Sequence, residues 1–347
     1  MDLDSRKLKI LGTIVEQYVN TAEPVGSKRI AELLNINVSS ATIRNDMAML
    51  FDMGLLEQPH TSAGRIPSHL GYRLYINEIM NCIPLSSEQM AEIQSMFNIM
   101  NPDPDKLLKG AAAALADLTN CATIATTFTP ESIHISKLQL IPANDNTVII
   151  LIIASNGVIK NKVCRVMFRV TSQICEFFTS FVNYRLQGRS LNEISMWYLS
   201  SISVDLGEYS RMFNPLLGSV YELCKEINDG QFYIEGQTNL LSYPELANMV
   251  GDMLVLFTDK QKILSMLPRD NNDIDVVIGK ENNSMELSGS SVLLARYDIG
   301  GQKCGTIGLI GPIRLDYARV VPKLQYFANI LSSLLTDAFG QQEPRGE

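Results

Sequence analysis

The chain has no apolar run long enough to cross a bilayer. Its opening, Met1-Asp2-Leu3-Asp4-Ser5-Arg6-Lys7, lacks the apolar core of a signal peptide, so a cytoplasmic location and no membrane partner are expected. The six cysteines (Cys82, Cys121, Cys164, Cys175, Cys224, Cys304) include no Cys-x-x-Cys pair and have no zinc-finger spacing with His60, His69 or His134. They read as reduced, largely buried thiols, and no metal is expected. Gly-x-Ser-x-Gly and His-Glu-x-x-His are absent. Gly300 to Gly305 has the outer spacing of a phosphate loop, but Thr306 stands where such a loop needs Lys. Gly300-Gly301 reads more simply as a hairpin turn, and Gly305 and Gly308 as points of tight strand packing. Arg314-Leu315-Asp316-Tyr317 at a helix start reads as Asp316 capping and Arg314 pairing locally, in preference to an anion site. No catalytic residue and no cofactor emerges, which argues against an enzyme.

A basic excess is missing too. The chain has 29 Lys and Arg against 37 Asp and Glu, a net charge of −8. Residues 1–80 hold eight of the first and nine of the second, a net of −1, so −7 lies beyond them. An acidic body repels phosphate and limits non-specific binding to nucleic acid. Any DNA-binding face must therefore gather its cations locally, with Lys28, Arg29, Arg44, Arg65 and Arg73 as the candidates.

What is present points to such a face. In Val38-Ser39-Ser40-Ala41-Thr42-Ile43-Arg44-Asn45-Asp46-Met47, Ser39 or Ser40 can cap a helix. Ile43, Met47 and Leu50 recur at helical spacing and predict a buried face. Ala41, Arg44, Asn45 and Ala48 point the other way, with Thr42 beside them. That outer face is small and polar, as a helix must be to approach base edges in a major groove. Arg44 suits guanine and Asn45 adenine, with Ser39, Ser40, Ala41 and Thr42 at the helix start near phosphates or base edges. Upstream, Leu8, Leu11, Ile14, Val15 and Tyr18 predict a first helix. Pro24-Val25-Gly26 breaks it. Ser27 caps a second helix with Ile30, Leu33 and Leu34 inside, and Asn35-Ile36-Asn37 turns into the third. This is the order of a helix-turn-helix. Downstream, Leu55 and Leu56 begin a strand, and Pro59 and Pro67 keep the strands out of a sheet interior. Thr61-Ser62-Ala63-Gly64 forms a polar tip. That is a short wing, with His60 and Arg65 beside the tip and Lys28 and Arg65 placed to position a DNA backbone.

At 347 residues, with 46% hydrophobic and 19% charged residues, two or three globular domains are expected. A helix is expected from His69 to Met80, a linker at Pro84, a helix after Ser86-Ser87-Glu88, and another from Lys106 to Thr119. Leu138–Ile141, Thr147–Ile153 and Val158–Val166 read as strands, the second as a central strand buried on both faces. Helices follow from Ser172 to Leu186 and, broken by Gln231–Ile234, from Gly188 to Met266. Strands return at Asp275–Ile278, Ser291–Ala295 and Thr306–Ile310. A last helix, Tyr317 to Phe339, must kink or restart at Pro322. Strands flanking a helical block suggest one sheet domain with an insertion.

The words Glu23-Pro24-Val25-Gly26-Ser27-Lys28, Ser40-Ala41-Thr42-Ile43-Arg44-Asn45-Asp46-Met47, Pro59-His60-Thr61-Ser62-Ala63-Gly64-Arg65-Ile66-Pro67 and Gly71-Tyr72-Arg73 resemble the bacterial heat-inducible transcription repressor family HrcA. So do Val277-Ile278-Gly279-Lys280-Glu281-Asn282, Gly305-Thr306-Ile307-Gly308-Leu309-Ile310-Gly311-Pro312 and Arg314-Leu315-Asp316-Tyr317, so the resemblance runs nearly end to end. Phe51 departs from the family's usual Glu, and Ile313 and Leu315 from its usual Thr and Met. The resemblance implies an α+β multidomain fold: a winged helix-turn-helix over 1–82, a GAF-like α/β sheet domain over 83–187 and 267–347, and a mostly helical inserted dimerisation domain over 188–266. It implies a homodimer that binds an inverted-repeat operator in double-stranded DNA and represses chaperone operons, with the chaperonin GroEL promoting the active form. The alternative is a ligand-sensing regulator with a small effector in the GAF-like domain, although no residue identifies one.

Overall fold

The computed structural model describes residues 3–34, 38–60, 63–97, 103–127, 133–155, 157–266, 272–282 and 284–339. Helices α1 (Ser5–Thr21), α2 (Ser27–Leu34) and α3 (Ser40–Asp52) are followed by the two-residue strands β1 (Leu56–Glu57) and β2 (Ile66–Pro67), paired antiparallel. Asp4 caps α1, accepting from the Lys7 N–H at 2.9 Å. Ile10, Leu11, Ile14 and Val15 of α1 meet Ile30, Ile43, Met47 and Leu50 in one apolar core. The helical spacing places all of these but Ile10 inside, whereas Leu8 and Tyr18 are half-buried and Leu33, also expected inside, is exposed. The turn expected at Asn35-Ile36-Asn37 and the tip residues Thr61 and Ser62 lie outside the described residues.

The helix expected from His69 to Met80 is a short α4 (His69–Leu74), capped by Ser68 and continued by one wider π turn over Tyr75–Ile79. Ser86 then caps α5 (Ser87–Ser95) with a reciprocal box to Gln89, and α6 (Pro104–Thr119) follows.

From here the chain builds two sheets. Strand β3 (Ala122–Thr127) belongs to a five-stranded antiparallel sheet. Strands β4 (Ile135–Asn144), β5 (Thr147–Ala154) and β6 (Ile159–Arg165) form a separate three-stranded one. The second sheet shares its own core with α7 (Ser172–Leu186), α8 (Met196–Ser203) and α9 (Ser210–Asn228), centred on Phe178, Phe213 and Val220. The sequence reading put the strands over 135–165 with the sheet domain and began the insertion at Gly188. The independent core instead runs from Ile133 to Ile227. Strand β5 is central, but Val148, Ile150, Ile152 and Ala154 alternate with half-buried Ile149, Leu151 and Ile153. Helices cover only one face of this sheet, so an unbroken apolar run here did not mean burial on both.

Residues 232–266, expected in the insertion, pack on the five-stranded sheet. Strand β7 (Phe232–Glu235) pairs with β3. Leu240, Leu246 and residues of α10 (Val250–Leu256) and α11 (Lys260–Met266) cover Ala122, Ile124, Val292, Leu294 and Ile310. With β8 (Ile274–Ile278), β9 (Ser290–Ile299) and β10 (Gln302–Pro312), the strand order is β7-β3-β10-β9-β8. On the other face Leu293, Ala295, Ile307 and Leu309 meet α6 and α12 (Tyr317–Phe339) in the core that also holds the first three helices. The strands buried on both faces are therefore the central ones of this sheet, β3, β10 and β9. Gly300 and Gly301, at φ +60 and +80, make the β9–β10 turn as expected.

Helix α12 passes through Pro322 as one element. Proline has no N–H to offer the carbonyl four residues back. That carbonyl, Ala318 O, accepts instead from the Ile83 N–H at 2.9 Å, so the linker leaving the N-terminal unit fills the gap.

Candidate nucleic-acid interface

Helix α3 begins at a Ser39 cap. The Ser39 hydroxyl accepts from the Thr42 N–H at 3.1 Å and lies 3.0 Å from the Thr42 hydroxyl. With Ile43, Met47 and Leu50 turned inward, Ser40, Ala41, Arg44, Asn45 and Ala48 are all exposed and Thr42 is half-buried. Only Arg44 is charged among them, and nothing on that face is larger than Arg44 itself.

Asp46 is the unexpected residue. It sits in the middle of this helix but is 3% exposed. Arg6 at the start of α1 reaches across to it with two hydrogen bonds, Nε to Oδ2 at 2.8 Å and Nη2 to Oδ1 at 3.2 Å. The sequence reading missed this pair because its members are 40 positions apart. The signal available was that Asp46 falls off the outer face defined by Arg44, Asn45 and Ala48.

The wing is fastened to the turn between α1 and α2. Val25 and Arg65 exchange two backbone hydrogen bonds, both 2.9 Å. Gly64 passes so close that a Cβ there would stand 2.4 Å from the Val25 carbonyl oxygen. The Arg65 guanidinium lies 4.9 Å from the centre of the Phe51 ring, and its Nε is buried with no hydrogen-bond partner. Phe51 is therefore a platform for Arg65. His60 is exposed and turns the strand, its carbonyl accepting from the Ala63 N–H at 2.9 Å. Lys28 is exposed in the first turn of α2.

Two of the five candidate cations are engaged elsewhere. Arg29 pairs with Glu32 at 3.4 Å. Arg73 faces away from the wing: it binds both Glu281 carboxylate oxygens and donates to the Val276 carbonyl at 2.5 Å. It ties the N-terminal unit to the five-stranded sheet. What remains around α3 is Lys28, Arg44, Arg65 and the unforeseen Arg6.

A cleft of about 260 Å³ opens where the two units meet, lined by Tyr18, His69, Tyr72, Glu245, Lys280 and Arg314 among others. The Tyr72 hydroxyl is buried at this cleft without a hydrogen-bond partner, and burial pushes its pKa far up. Arg314, expected to pair locally, donates Nε to Glu245 at 2.5 Å, while Asp316 caps α12 as expected, accepting from the Arg319 N–H at 3.3 Å.

Comparison with known proteins follows the same division. The family profile described as "Winged helix-turn-helix transcription repressor, HrcA DNA-binding" matches residues 2–79, and "HrcA protein C terminal domain" matches 105–321. The heat-inducible transcription repressor HrcA of Clostridium botulinum (strain Eklund 17B / Type B) is 36% identical over 341 residues, covering 97% of this chain and 99% of its own. Those of Clostridium tetani and Thermoanaerobacter pseudethanolicus are 37% and 35% identical, covering 97% and 99% of this chain and 97% and 100% of theirs. A crystal structure titled as that of a hypothetical protein is similar at a TM-score of 0.62 and 27% identity, over 97% of this chain and 99% of that one.

Proposed function

The chain belongs to the HrcA family of heat-inducible transcription repressors, a regulatory and not an enzymatic role, and from that premise we propose how it represses. It acts in the cytoplasm as a homodimer whose two winged helices take the two halves of an inverted-repeat operator at chaperone genes, and the GroEL chaperonin promotes its active form. The observation that carries the DNA reading is the outer face of α3. Ser40, Ala41, Arg44, Asn45 and Ala48 are exposed together on a helix whose opposite face is locked into the core. Such a face fits a major groove, with Arg44 and Asn45 on base edges. Ser39, Thr42, Lys28, His60 and Arg65 border it and suit phosphate and sugar.

Three units are proposed: the winged helix to about residue 80, a GAF-like five-stranded sheet unit, and an insertion over about 133–228 that dimerises. Among the described residues the insertion carries the most exposed aromatics, Tyr184 at 85% and Trp197 at 80%, with Val204 and Tyr209 also exposed. Surfaces of this kind are commonly covered by a partner.

The test is fluorescence anisotropy on an inverted-repeat duplex from a chaperonin promoter against a scrambled duplex, over a salt series. Tight binding to the repeat alone, with a clear salt slope, supports the reading. Arg44→Ala should then cost ~1–3 kcal/mol on the repeat. Equal, weak binding to both duplexes, unchanged on adding GroEL, overturns it. A second reading, a ligand-sensing regulator, is favoured by the unpartnered Tyr72 hydroxyl at the inter-unit cleft. A saturable rise in Tm with a small molecule, abolished by Tyr72→Phe, would support it.

A further inference from the structure

We propose that Arg6 is a phosphate-contacting residue of the DNA interface, held at the flank of α3 by Asp46 with its remaining N–H groups free for a backbone phosphate. The inference rests on the DNA-binding reading of α3 and adds a residue to it.

The argument begins with a charge problem. A carboxylate in the middle of a helix that enters a groove would face two phosphate ridges. Asp46 avoids this by being buried, its side chain 5% exposed, with both oxygens on Arg6. Removing one member of such a pair leaves a buried charge uncompensated, so the pair is stable only as a pair. Asp46 thereby fixes the Arg6 guanidinium in one place. A planar guanidinium with five N–H donors can serve a carboxylate on one edge and a second anion on another. Here Nε and one N–H of Nη2 serve Asp46, and among the described residues Nη1 has no partner. The Arg6 side chain is 43% exposed, so those donors open to solvent.

Position then decides the second anion. Successive residues of a helix are rotated by about 100°. Asp46 therefore lies off the Arg44–Asn45–Ala48 face, next to Thr42 and Met49 on one side and buried Leu50 on the other. A helix with its side chains is about 10–12 Å across, and the major groove is about 12 Å wide. When the Arg44 face points to the base edges, the flanks of α3 run beside the phosphates that border the groove. Asp46 stands about 100° beyond Asn45, so Arg6 is held at the rear edge of one flank, and its long side chain, 43% exposed, is the part that opens outward; Arg65 lies on the wing. An arginine already held by a carboxylate loses less side-chain freedom on meeting phosphate than a free one. This also answers how a unit with a net charge of −1 grips DNA. Its central acid is turned inward and used to aim a cation.

The test is the salt dependence of binding by the full chain to the repeat and scrambled duplexes. Each phosphate contact contributes a slope of about −0.9 in log K against log salt. Arg6→Ala should make the slope shallower by about 0.9 and weaken both duplexes by the same factor, whereas Arg44→Ala should weaken the repeat preferentially. Because Arg6→Ala strands a buried carboxylate, the double variant Arg6→Met with Asp46→Asn is measured beside it. It removes the stranded charge and should stay folded while keeping the shallower slope. Arg6→Lys should keep the wild-type slope. A folded double variant with the wild-type slope overturns the proposal while leaving the DNA reading intact. Wild-type protein that binds neither duplex with a salt slope overturns both.

Discussion

Replacing Gly64 by alanine tests how the wing is held. The constraint there is steric: a Cβ would stand 2.4 Å from the Val25 carbonyl oxygen, 2.5 Å from its carbon and 2.9 Å from its nitrogen. All three are backbone atoms of the same residue, so no side-chain rotation can relieve the clash. The wing must move away from the α1–α2 turn, and the two 2.9 Å hydrogen bonds between Val25 and Arg65 must stretch or break. At about 0.5–1.5 kcal/mol net each, these amount to roughly 1–3 kcal/mol. The stacking of Arg65 on Phe51 is worth about 0.5–1 kcal/mol more if it is lost with them. Local opening at Val25 and Arg65 should therefore rise by roughly 5- to 150-fold or somewhat more, since each 1.4 kcal/mol is tenfold. Amide hydrogen exchange of the full chain reads this directly, because both N–H groups are donors in the pair. The exchange of α1 core amides such as Ile14 should change little. Operator affinity should fall with the loosened wing. If the Val25 and Arg65 amides of Gly64→Ala exchange at wild-type rates, the close approach is not what fixes the wing.

The tie between the N-terminal unit and the sheet should be acid-labile. Burial pushes the Glu281 carboxyl up, but hydrogen bonds from the Arg73 side chain and the Ile278 N–H outweigh it and hold the group below its ordinary 4.5. A lowered carboxyl contributes stability above its unfolded value and loses it as pH falls through the folded one. The wild-type Tm should thus drop on acidification below about pH 4.5, and Glu281→Gln should show a smaller drop; equal pH profiles would contradict this. Phe213, fully buried and in ring contact with Phe168, Phe177, Phe178 and Tyr209, should cost ~3–5 kcal/mol on replacement by alanine. Faster hydrogen exchange should be confined to residues 133–228, and spread across the five-stranded sheet would refute its separate core. Trp197→Asp with Tyr184→Asp should shift sedimentation toward a monomer that is still folded by circular dichroism, since both side chains are largely exposed in the single chain.

Local pattern made the N-terminal unit legible. Ser39 capping, the buried stripe Ile43–Met47–Leu50 and the exposed Arg44–Asn45 face all follow from residues within one turn of each other. The wing was legible because Pro59, Gly64 and Pro67 restrict the backbone wherever they stand. The layout beyond it was less so. A strand's sequence states that it is a strand, not which sheet it joins. Thr147–Ala154 and Ser290–Ile299 are both strongly apolar, yet the first is covered on one face and the second on both. The division of the helices failed for the same reason: 232–266 were drawn to the insertion by adjacency, while their apolar faces fit Ile124 and Leu294 of the other sheet. Arg73 shows the limit for side chains. Its partner Glu281 is 208 positions away, so nothing near it in sequence could reveal that it faces the sheet and not DNA.

Two winged helices reading an inverted repeat must be held about 34–36 Å apart or a multiple of it. The spacing is set by how rigidly each unit is mounted. Besides the apolar core that the unit shares with the sheet and α12, three specific ties mount it here: Arg73 on Glu281 and the Val276 carbonyl, Tyr72 against the Tyr317 ring at 6.1 Å, and the Ile83 N–H on the Ala318 carbonyl. The last exists because Pro322 leaves that carbonyl unpaired by its own helix. Tyr317 is in turn held by Ser291 and the Ile313 carbonyl, so the mount reaches strand β9. The charged Arg73 pair is worth about 1.5–3 kcal/mol and the ring contact and the backbone hydrogen bond about 0.5–1.5 kcal/mol each, and all three lie along one seam. They should therefore yield together, leaving the unit either seated at one spacing or released from it. If the proposed dimer is mounted in this way, heating should release the operator by loss of the spacing between intact reading heads, before either head unfolds. Hydrogen exchange on warming should accordingly rise first at Ile83, and at the α3 core amides only at higher temperature.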